Sequence, residues 1–233
     1  MSEPPSADTV LLAEHRSAVV AACHRLLAAG LLRGTSGNVS VRDRDSQTIA
    51  ITPTGVDYPA MRPADLPVLD LAGDRLDGAL LPSSEWALHL AVYRQRPDVG
   101  AVVHTHSMFA TTFAVLAEPV PPVHYLLARA GSAWLPVPVA PYARYGTREL
   151  ADNCVRTLAG GNAVLLANHG LVAVGADLAA AVALADAVEY TAELAWRARQ
   201  LGQPKVLNAD QLAAAAEAFA GYGQPDDPAE SPG

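Results

Sequence analysis

The stretch that decides the fold is Val99-Gly100-Ala101-Val102-Val103-His104-Thr105-His106, an apolar run that ends in two histidines. A short apolar run rich in valine is typical of a buried strand, in which side chains two residues apart share one face. The Cα atoms of His104 and His106 would then lie roughly 6.6–6.8 Å apart, and both imidazoles could reach one ion at about 2.0–2.1 Å. The stretch therefore predicts a buried strand that carries two metal ligands at its end.

A third histidine, His169, follows a second apolar run at residues 163–167. Three histidines and one open position are the composition of a catalytic zinc site rather than a closed structural one. Glu85 has two interpretations: it stabilises a helix N-terminus by about 0.3–1 kcal/mol, or it faces the ion as a fourth ligand or general base. The other histidines on predicted helices lack ligand spacing, and we expect them to be structural or solvated: His15, His24 and His89.

Three short turns are rich in glycine and hydroxyl side chains: residues 34–38, Thr54-Gly55 and Ser83-Ser84. Each offers backbone N–H groups, and Ser83-Ser84 also opens a predicted helix, where the dipole favours an anion. Each could equally be an ordinary turn or helix cap. A nucleotide P-loop is excluded, because no Gly-x-x-x-x-Gly-Lys occurs. If the three turns converge, they would hold a single phosphate by neutral donors.

Composition indicates one globular domain, since 51% of the 233 residues are apolar and 17% are charged. The net charge of −8 and the scattered arginines argue against a nucleic-acid partner. No apolar stretch reaches the roughly 18 residues of a membrane span. Residues 1–8 lack the basic and apolar regions of a secretory signal, so we expect none. Cys23 and Cys154 are interpreted as reduced thiols, although their spacing leaves a bridge open. We expect a cytoplasmic protein.

Periodicity predicts alternating helices and strands. Helices are predicted over 10–29, 85–95, 108–116, 147–158, 178–201 and 210–219, and strands over 39–41, 48–51, 68–71, 99–106, 123–127, 134–137, 163–167 and 171–174. Some strands are joined by hairpin-length links and others by helices. This pattern favours an α/β fold of three α/β/α layers with a central mixed, largely antiparallel sheet. We expect a flexible N-terminus at 1–8, one domain at 9–222 and a disordered tail at 223–233.

The motifs together resemble the class II aldolase/adducin family, and within it the members that act on L-fuculose 1-phosphate. The segments that carry the resemblance are collinear over roughly residues 10–222, and they are 34–41, 51–55, 81–86, 96–104, 123–125, 140–143, 146–150 and 169–171. Residues 129–132 depart from a small glycine-rich stretch of the family.

The resemblance implies one Zn²⁺ per subunit, held by His104, His106 and His169. It implies that Glu85 ligates the resting metal and then acts as the base. It also implies a homotetramer with active sites at subunit interfaces, in which Tyr125 reaches a neighbouring site and Tyr222 belongs to a mobile C-terminal tail. The phosphate-binding residues that it implies are Gly37, Asn38, Thr54, Gly55, Ser83 and Ser84.

The implied activity is reversible aldol cleavage of a ketose 1-phosphate to dihydroxyacetone phosphate and a short aldehyde such as L-lactaldehyde. The chain's single lysine, Lys205, lies outside every motif, which agrees with a metal-dependent rather than a Schiff-base aldolase. Two activities of the same family stay open, those of an L-ribulose-5-phosphate 4-epimerase and a methylthioribulose-1-phosphate dehydratase. A non-catalytic adducin-like interaction domain is the alternative of a different class, which would keep the fold and lose the metal set.

Overall fold

The computed structural model describes residues 11–131 and 135–220. The strands are β1 (Asn38–Asp43), β2 (Thr48–Ile51), β3 (Val68–Asp70), β4 (Arg75–Asp77), β5 (Ala101–Thr105), β6 (Val139–Ala140), β7 (Ala163–Leu166) and β8 (Gly170–Gly175). The α-helices are α1 (Ala13–Ala28), α2 (Trp86–Gln95), α3 (Met108–Val115), α4 (Arg148–Leu158), α5 (Leu178–Leu201) and α6 (Ala209–Ala220). No α-helix in the described part of the chain combines the length and hydropathy that a membrane span requires.

The eight strands form one sheet in the order β4-β3-β2-β1-β5-β8-β7-β6. Neighbouring strands are antiparallel except β6 and β7, which are parallel. The predicted mixed, largely antiparallel sheet is confirmed. The apolar run that ends in the two histidines is β5, which pairs with β1 on one side and β8 on the other.

Helices cover both faces of this sheet, because its central strands are apolar on both sides. Val103 of β5 packs into a core shared with α1, α3 and α5, whereas Val102 packs into a second core shared with α2 and α4. The predicted three-layer arrangement is therefore confirmed.

Cys23 belongs to the first core and Cys154 to the second. Both are free thiols, so the disulfide that their spacing left open does not form.

Two strand predictions were wrong. Residues 125–130 form a 3₁₀ helix, Tyr125–Ala130, instead of a strand at 123–127, and His124 Nδ1 accepts from the Leu126 N–H at its start. Two prolines precede this segment and cannot donate to a ladder, so its aromatic and β-branched residues find no partner strand. Of residues 135–137, only Val137 pairs, in an isolated bridge with Val120, and Trp134 lies outside the described residues.

The short strand β4 escaped sequence-based prediction. It has the sequence Arg75-Leu76-Asp77 at the edge of the sheet, with a burial pattern that is exposed, exposed and intermediate. An edge strand of three largely polar residues is too short to show the alternation of apolar and polar residues from which strands are predicted. The expected flexible N-terminus and disordered tail lie outside the described residues, and the domain limits 9–222 stay a prediction.

Candidate active site

Three imidazoles meet at one end of the central strands. His104 is on β5, His106 lies one residue past its end, and His169 occupies the turn between β7 and β8. Since β8 pairs with β5, with Leu171 opposite Thr105, the turn is held beside the two histidines. The Nε2 atom of His104 lies 3.0 Å from that of His106 and 3.2 Å from that of His169.

Two glycines allow the backbone segments to approach this closely. A Cβ atom on Gly170 would lie 2.3 Å from the carbonyl oxygen of Thr105 and 3.0 Å from the His106 ring. A Cβ atom on Gly37 would lie 2.7 Å from the carbonyl oxygen of His104, and Gly37 also has φ +84°. Both positions therefore require glycine, Gly170 to keep the His169 turn against the end of β5 and Gly37 to keep the turn before β1 against it.

Glu85 turns its carboxylate toward the histidines. Its Oε2 atom lies 3.2 Å from His104 Nε2, and its Oε1 atom lies 3.4 Å from His169 Nε2. The residue precedes the first turn of α2 but makes no side-chain capping hydrogen bond, and it is only 6% exposed. Helix capping does not explain this buried carboxylate, whereas a role beside the imidazoles does.

Hydrogen bonding fixes which nitrogen of His104 faces the cluster. Its Nδ1 atom lies 2.9 Å from the carbonyl oxygen of Leu171, and a carbonyl only accepts. Nδ1 therefore carries the hydrogen of the neutral ring, and the lone pair on Nε2 points at His106, His169 and Glu85. A backbone partner that fixes the tautomer in this way is typical of a metal-ligating histidine.

The donor set fits a divalent metal ion. One ligand atom from each of Glu85, His104, His106 and His169 lies within 4.8 Å of all the others. The separations of 3.0–3.4 Å are close to the edge of about 3.3–3.4 Å that a tetrahedron with bonds of 2.0–2.1 Å would have. Glu85 Oε1 is buried and has no hydrogen-bond partner, so a metal would satisfy an otherwise unpaired oxygen.

Protonation states agree with ligation. Burial, together with the neighbouring His104, lowers the pKa of His106 and of His169 to about 4, so both rings are neutral near pH 7. Burial raises the pKa of the Glu85 carboxyl, but His104, His169 and the Asn38 amide outweigh it and hold that pKa well below its usual range. The cluster thus offers two neutral imidazoles and an ionised carboxylate. Burial lowers the pKa of His104, but Glu85 and the Leu171 carbonyl outweigh it and raise that pKa, so a metal ion would have to displace a proton from this ring.

A pocket of about 300 Å³ opens beside the cluster, and the three predicted turns converge on it. Ser83 N–H donates to the Thr52 carbonyl and Thr54 N–H to the Leu81 carbonyl, which ties two of the turns together. All six candidate phosphate-binding residues line this pocket, and they are Gly37, Asn38, Thr54, Gly55, Ser83 and Ser84. None of the described residues that line it is a lysine or an arginine.

Two tyrosines that sequence reasoning did not select also line the pocket. Tyr142 and Tyr145 are 63% and 61% exposed and lie between β6 and α4. A Cβ atom on Gly146 would lie 3.0 Å from the Ser84 carbonyl oxygen, so this segment packs directly on the serine turn. The sequence shows two tyrosines close to a glycine, which is a weak indication of a binding segment. Only the packing of this segment shows that both tyrosines line the pocket.

The two candidate catalytic tyrosines are placed differently. Tyr125 is 52% exposed, stacks on Phe219 of α6 at 6.0 Å, and is absent from the described residues that line the pocket of its own chain. Tyr222 lies outside the described residues. The four candidate metal ligands and the three candidate phosphate-binding turns therefore meet within one chain, whereas Tyr125 packs on α6 outside this pocket.

Comparison with known proteins gives consistent matches along the chain. A family model described as "Class II Aldolase and Adducin N-terminal domain" matches residues 17–196. A 5-deoxy-D-ribulose 1-phosphate aldolase of Bacillus thuringiensis is 40% identical over 92% of this chain and 100% of its own length. A 5-methylthioribulose-1-phosphate/5-deoxyribulose-1-phosphate aldolase of Rhodospirillum rubrum is 41% identical over 89% of this chain and 92% of its own. A solved L-fuculose 1-phosphate aldolase superimposes with a TM-score of 0.84 at 40% identity, covering 89% of this chain and 96% of the other.

Proposed function

Because the chain belongs to the class II aldolase and adducin family and is a class II aldolase, we propose that it cleaves a ketose 1-phosphate to dihydroxyacetone phosphate and a short aldehyde. The observation that carries this proposal is the convergence of four ligating side chains and three neutral anion-binding turns on one pocket. The substrate resembles L-fuculose 1-phosphate, which would release L-lactaldehyde.

Relatives support a second substrate of the same chemistry. Two of them are named for 5-deoxyribulose 1-phosphate, which has one carbon fewer and would release acetaldehyde. Both sugars have a phosphate on C1 and a methyl group at the far end. The shared requirement is therefore a terminally deoxygenated ketose 1-phosphate.

The cofactor that we propose is one Zn²⁺ per subunit, held by Glu85, His104, His106 and His169. Imidazole and carboxylate donors in a four-coordinate arrangement suit zinc. When bound, the ion supplies a Lewis acid that stabilises negative charge on the C2 oxygen of the substrate.

The pocket binds the phosphate with neutral donors. Thr54 and Ser84 offer hydroxyl groups, and Gly55 and the start of α2 offer backbone N–H groups. Asn38 gives one N–H of its amide to Glu85, so its second N–H is the one left for the phosphate. With the phosphate fixed, the C3–C4 bond is held in a defined orientation to Glu85.

Glu85 is the base that moves the proton at C3. In the cleavage direction the C4 hydroxyl loses its proton, the C3–C4 bond breaks, and its electron pair forms the enediolate of dihydroxyacetone phosphate. The proton released by the C4 hydroxyl passes through Tyr125 and solvent to the Glu85 carboxylate, which then delivers it to C3, and in synthesis each transfer runs in reverse. Tyr125 exchanges the proton of the C4 oxygen as the aldehyde leaves, and Tyr222 closes over the site from the tail.

The position of Tyr125 supports a shared active site. Because this tyrosine is absent from the described residues that line its own pocket, we propose that it serves a site on a neighbouring subunit, within the homotetramer that the family resemblance implies. Mixing refolded Glu85→Gln and Tyr125→Phe subunits tests this, since hybrid tetramers contain some sites with both groups intact. Activity above that of either parent is expected, and its absence from mixed tetramers would contradict the shared site.

The alternatives have less support. An epimerase needs a further acid on the opposite face of the substrate, and Glu85 is the only carboxyl group among the described residues that line the pocket. The relative named for 5-methylthioribulose 1-phosphate is an aldolase rather than a dehydratase. A non-catalytic interaction domain has no use for four convergent ligating groups.

We also propose a cytoplasmic location, which the two free cysteines favour.

A panel of sugar phosphates tests the proposal. L-fuculose 1-phosphate, 5-deoxyribulose 1-phosphate, 5-methylthioribulose 1-phosphate and L-ribulose 5-phosphate are incubated with zinc-loaded protein, and the products are identified. Release of dihydroxyacetone phosphate from ketose 1-phosphates is expected. Epimerisation of L-ribulose 5-phosphate without triose release, or a diketone from 5-methylthioribulose 1-phosphate, would overturn the proposal.

A further inference from the structure

A row of buried polar side chains runs from Glu85 into the core between β1 and α2. Asn38 Nδ2 lies 3.0 Å from Glu85 Oε2, and Asn38 Oδ1 lies 2.5 Å from His89 Nε2. His89 Nδ1 lies 2.6 Å from Ser40 Oγ, which lies 2.8 Å from the Tyr93 hydroxyl. All five residues are buried, and the phosphate and metal roles described above do not use the last three.

The ionised Glu85 sets the direction of every hydrogen bond in this row. A carboxylate only accepts, so the amide nitrogen of Asn38 must face it and the amide oxygen must face His89. His89 Nε2 must then donate, which leaves Nδ1 as an acceptor for the Ser40 hydroxyl. Ser40 has used its hydrogen, so Tyr93 donates to it. Each donor thus points toward Glu85.

Burial keeps His89 in the neutral form that this direction needs. The ring is fully buried, and burial lowers its pKa to about 3. The far end of the row is held in place too, because the Arg42 guanidinium lies 5.3 Å from the centre of the Tyr93 ring. Asn38, His89, Ser40 and Tyr93 each have a partner in this row, and satisfied buried polar groups fix one arrangement of a core.

We propose that His89, supported by Ser40 and Tyr93, positions Asn38 and through it fixes the carboxylate of the base Glu85. Without the N–H of His89, the Asn38 amide can rotate and turn its oxygen toward the carboxylate, which repels it. With that N–H in place, Oε2 accepts from Asn38, whereas Oε1, which has no hydrogen-bond partner, faces the site. The inference rests on the proposed function, because it assigns His89 a role through the proton transfer of Glu85.

Two substitutions of His89 separate positioning from packing. His89→Leu fills a similar volume with an apolar side chain and removes the N–H that donates to Asn38. His89→Gln retains an N–H near the position of Nε2. Thr191→Val is the matched control, since it removes another fully buried hydroxyl, one that donates only to the Ala187 carbonyl of its own helix.

The readouts are kcat and KM for ketose 1-phosphate cleavage, exchange of the C3 proton of dihydroxyacetone phosphate in deuterated water, and bound zinc per subunit. We expect His89→Leu to lose about 10- to 100-fold in kcat and in exchange, with zinc content near wild type. KM should rise by a smaller factor, because the rotated Asn38 amide also withdraws the N–H that faces the phosphate. His89→Gln should recover most of both rates, and Thr191→Val should match the wild type. Folded, zinc-loaded His89→Leu at wild-type rates, or His89→Gln as slow as His89→Leu, would overturn the inference.

Two further measurements cover the case in which His89→Leu does not fold. Tyr93→Phe removes only the last hydroxyl of the row and should slow exchange by roughly 2- to 10-fold. Nitrogen NMR of the wild type should find the hydrogen of His89 on Nε2. Exchange unchanged in Tyr93→Phe, or the hydrogen on Nδ1, would contradict the inference. If wild-type protein neither cleaves a ketose 1-phosphate nor exchanges this proton, the proposed function itself fails, and this inference fails with it.

Discussion

The Nε2 atoms of His104 and His169 lie 3.2 Å apart although 65 positions separate the two residues in the chain. Pairing of β5 with β8 brings them together, and the turn before β8 sets the final approach. The ligand cluster is therefore a property of the sheet register rather than of one motif.

Gly170→Ala should separate the two ligand-bearing segments. Its Cβ atom would lie 2.3 Å from the Thr105 carbonyl oxygen, and backbone cannot yield as a flexible side chain does. We expect a loss of about 1–3 kcal/mol in the free energy of unfolding and a lower zinc content. Denaturant unfolding and metal analysis measure both.

Gly30→Ala is the control for that substitution. Gly30 has φ +74°, so an alanine there is strained, but its Cβ atom would meet no atom within 4 Å. This variant should lose some stability and keep its zinc. Full zinc occupancy and unchanged stability in Gly170→Ala would show that the close approach of the two segments is not required.

Glu85→Gln should separate catalysis from metal binding. The amide keeps an oxygen for the metal and the hydrogen-bonding size of the side chain, but it cannot take a proton. We expect kcat to fall by about 100-fold or more, with a much smaller loss of zinc from the three remaining histidines. Turnover per bound zinc is the deciding quantity, and a wild-type value would remove Glu85 from the role of base.

Ser84→Ala should weaken binding of the phosphate group. Ser84 is exposed, lines the pocket and lies at the turn that opens α2. Losing one hydrogen bond to a charged group raises KM by roughly 10-fold or more, because such bonds contribute about 1.5–3 kcal/mol. Inhibition by inorganic phosphate should weaken in parallel. A KM equal to that of the wild type would place the phosphate elsewhere.

Acid should destabilise the protein partly through His89. Its pKa falls from 6.5 to about 3 on burial, so below pH 6.5 the unfolded chain binds a proton that the folded protein does not. Stability is therefore intact above pH 6.5 and is lost as the pH falls toward 3, by about 1.4 kcal/mol per pH unit from this group. Unfolding free energies between pH 7 and 5 should fall less steeply in His89→Gln. Equal slopes in the two proteins would contradict the assignment.

The sequence predicted the centre of the fold better than its edges. β5, β7 and β8 are apolar runs between turns, so their pattern alone indicates buried strands. β4 is short and polar at the edge of the sheet. The segment around Tyr125 has the composition of a strand but lacks a partner, and partner availability is a tertiary property.

The candidate site divides in the same way. The meeting of the three histidines could be predicted, because strand periodicity places His104 and His106 on one face and ligand chemistry adds His169. The row of buried polar side chains behind Glu85 could not be predicted from the sequence. Ser40 and His89 are 49 positions apart and meet only when α2 packs on β1. The pocket positions of Tyr142 and Tyr145 likewise depend on how an irregular segment folds over Ser84.

The most direct test of the account measures bound metal and dihydroxyacetone phosphate release together, before and after chelation. Protein stripped with EDTA should lose cleavage and regain it when one zinc per subunit is restored, and His104→Ala should neither bind zinc tightly nor respond to it. His24→Ala, a substitution on the exposed side of α1, should behave as wild type. Cleavage at the full rate by metal-free protein would contradict the central claim.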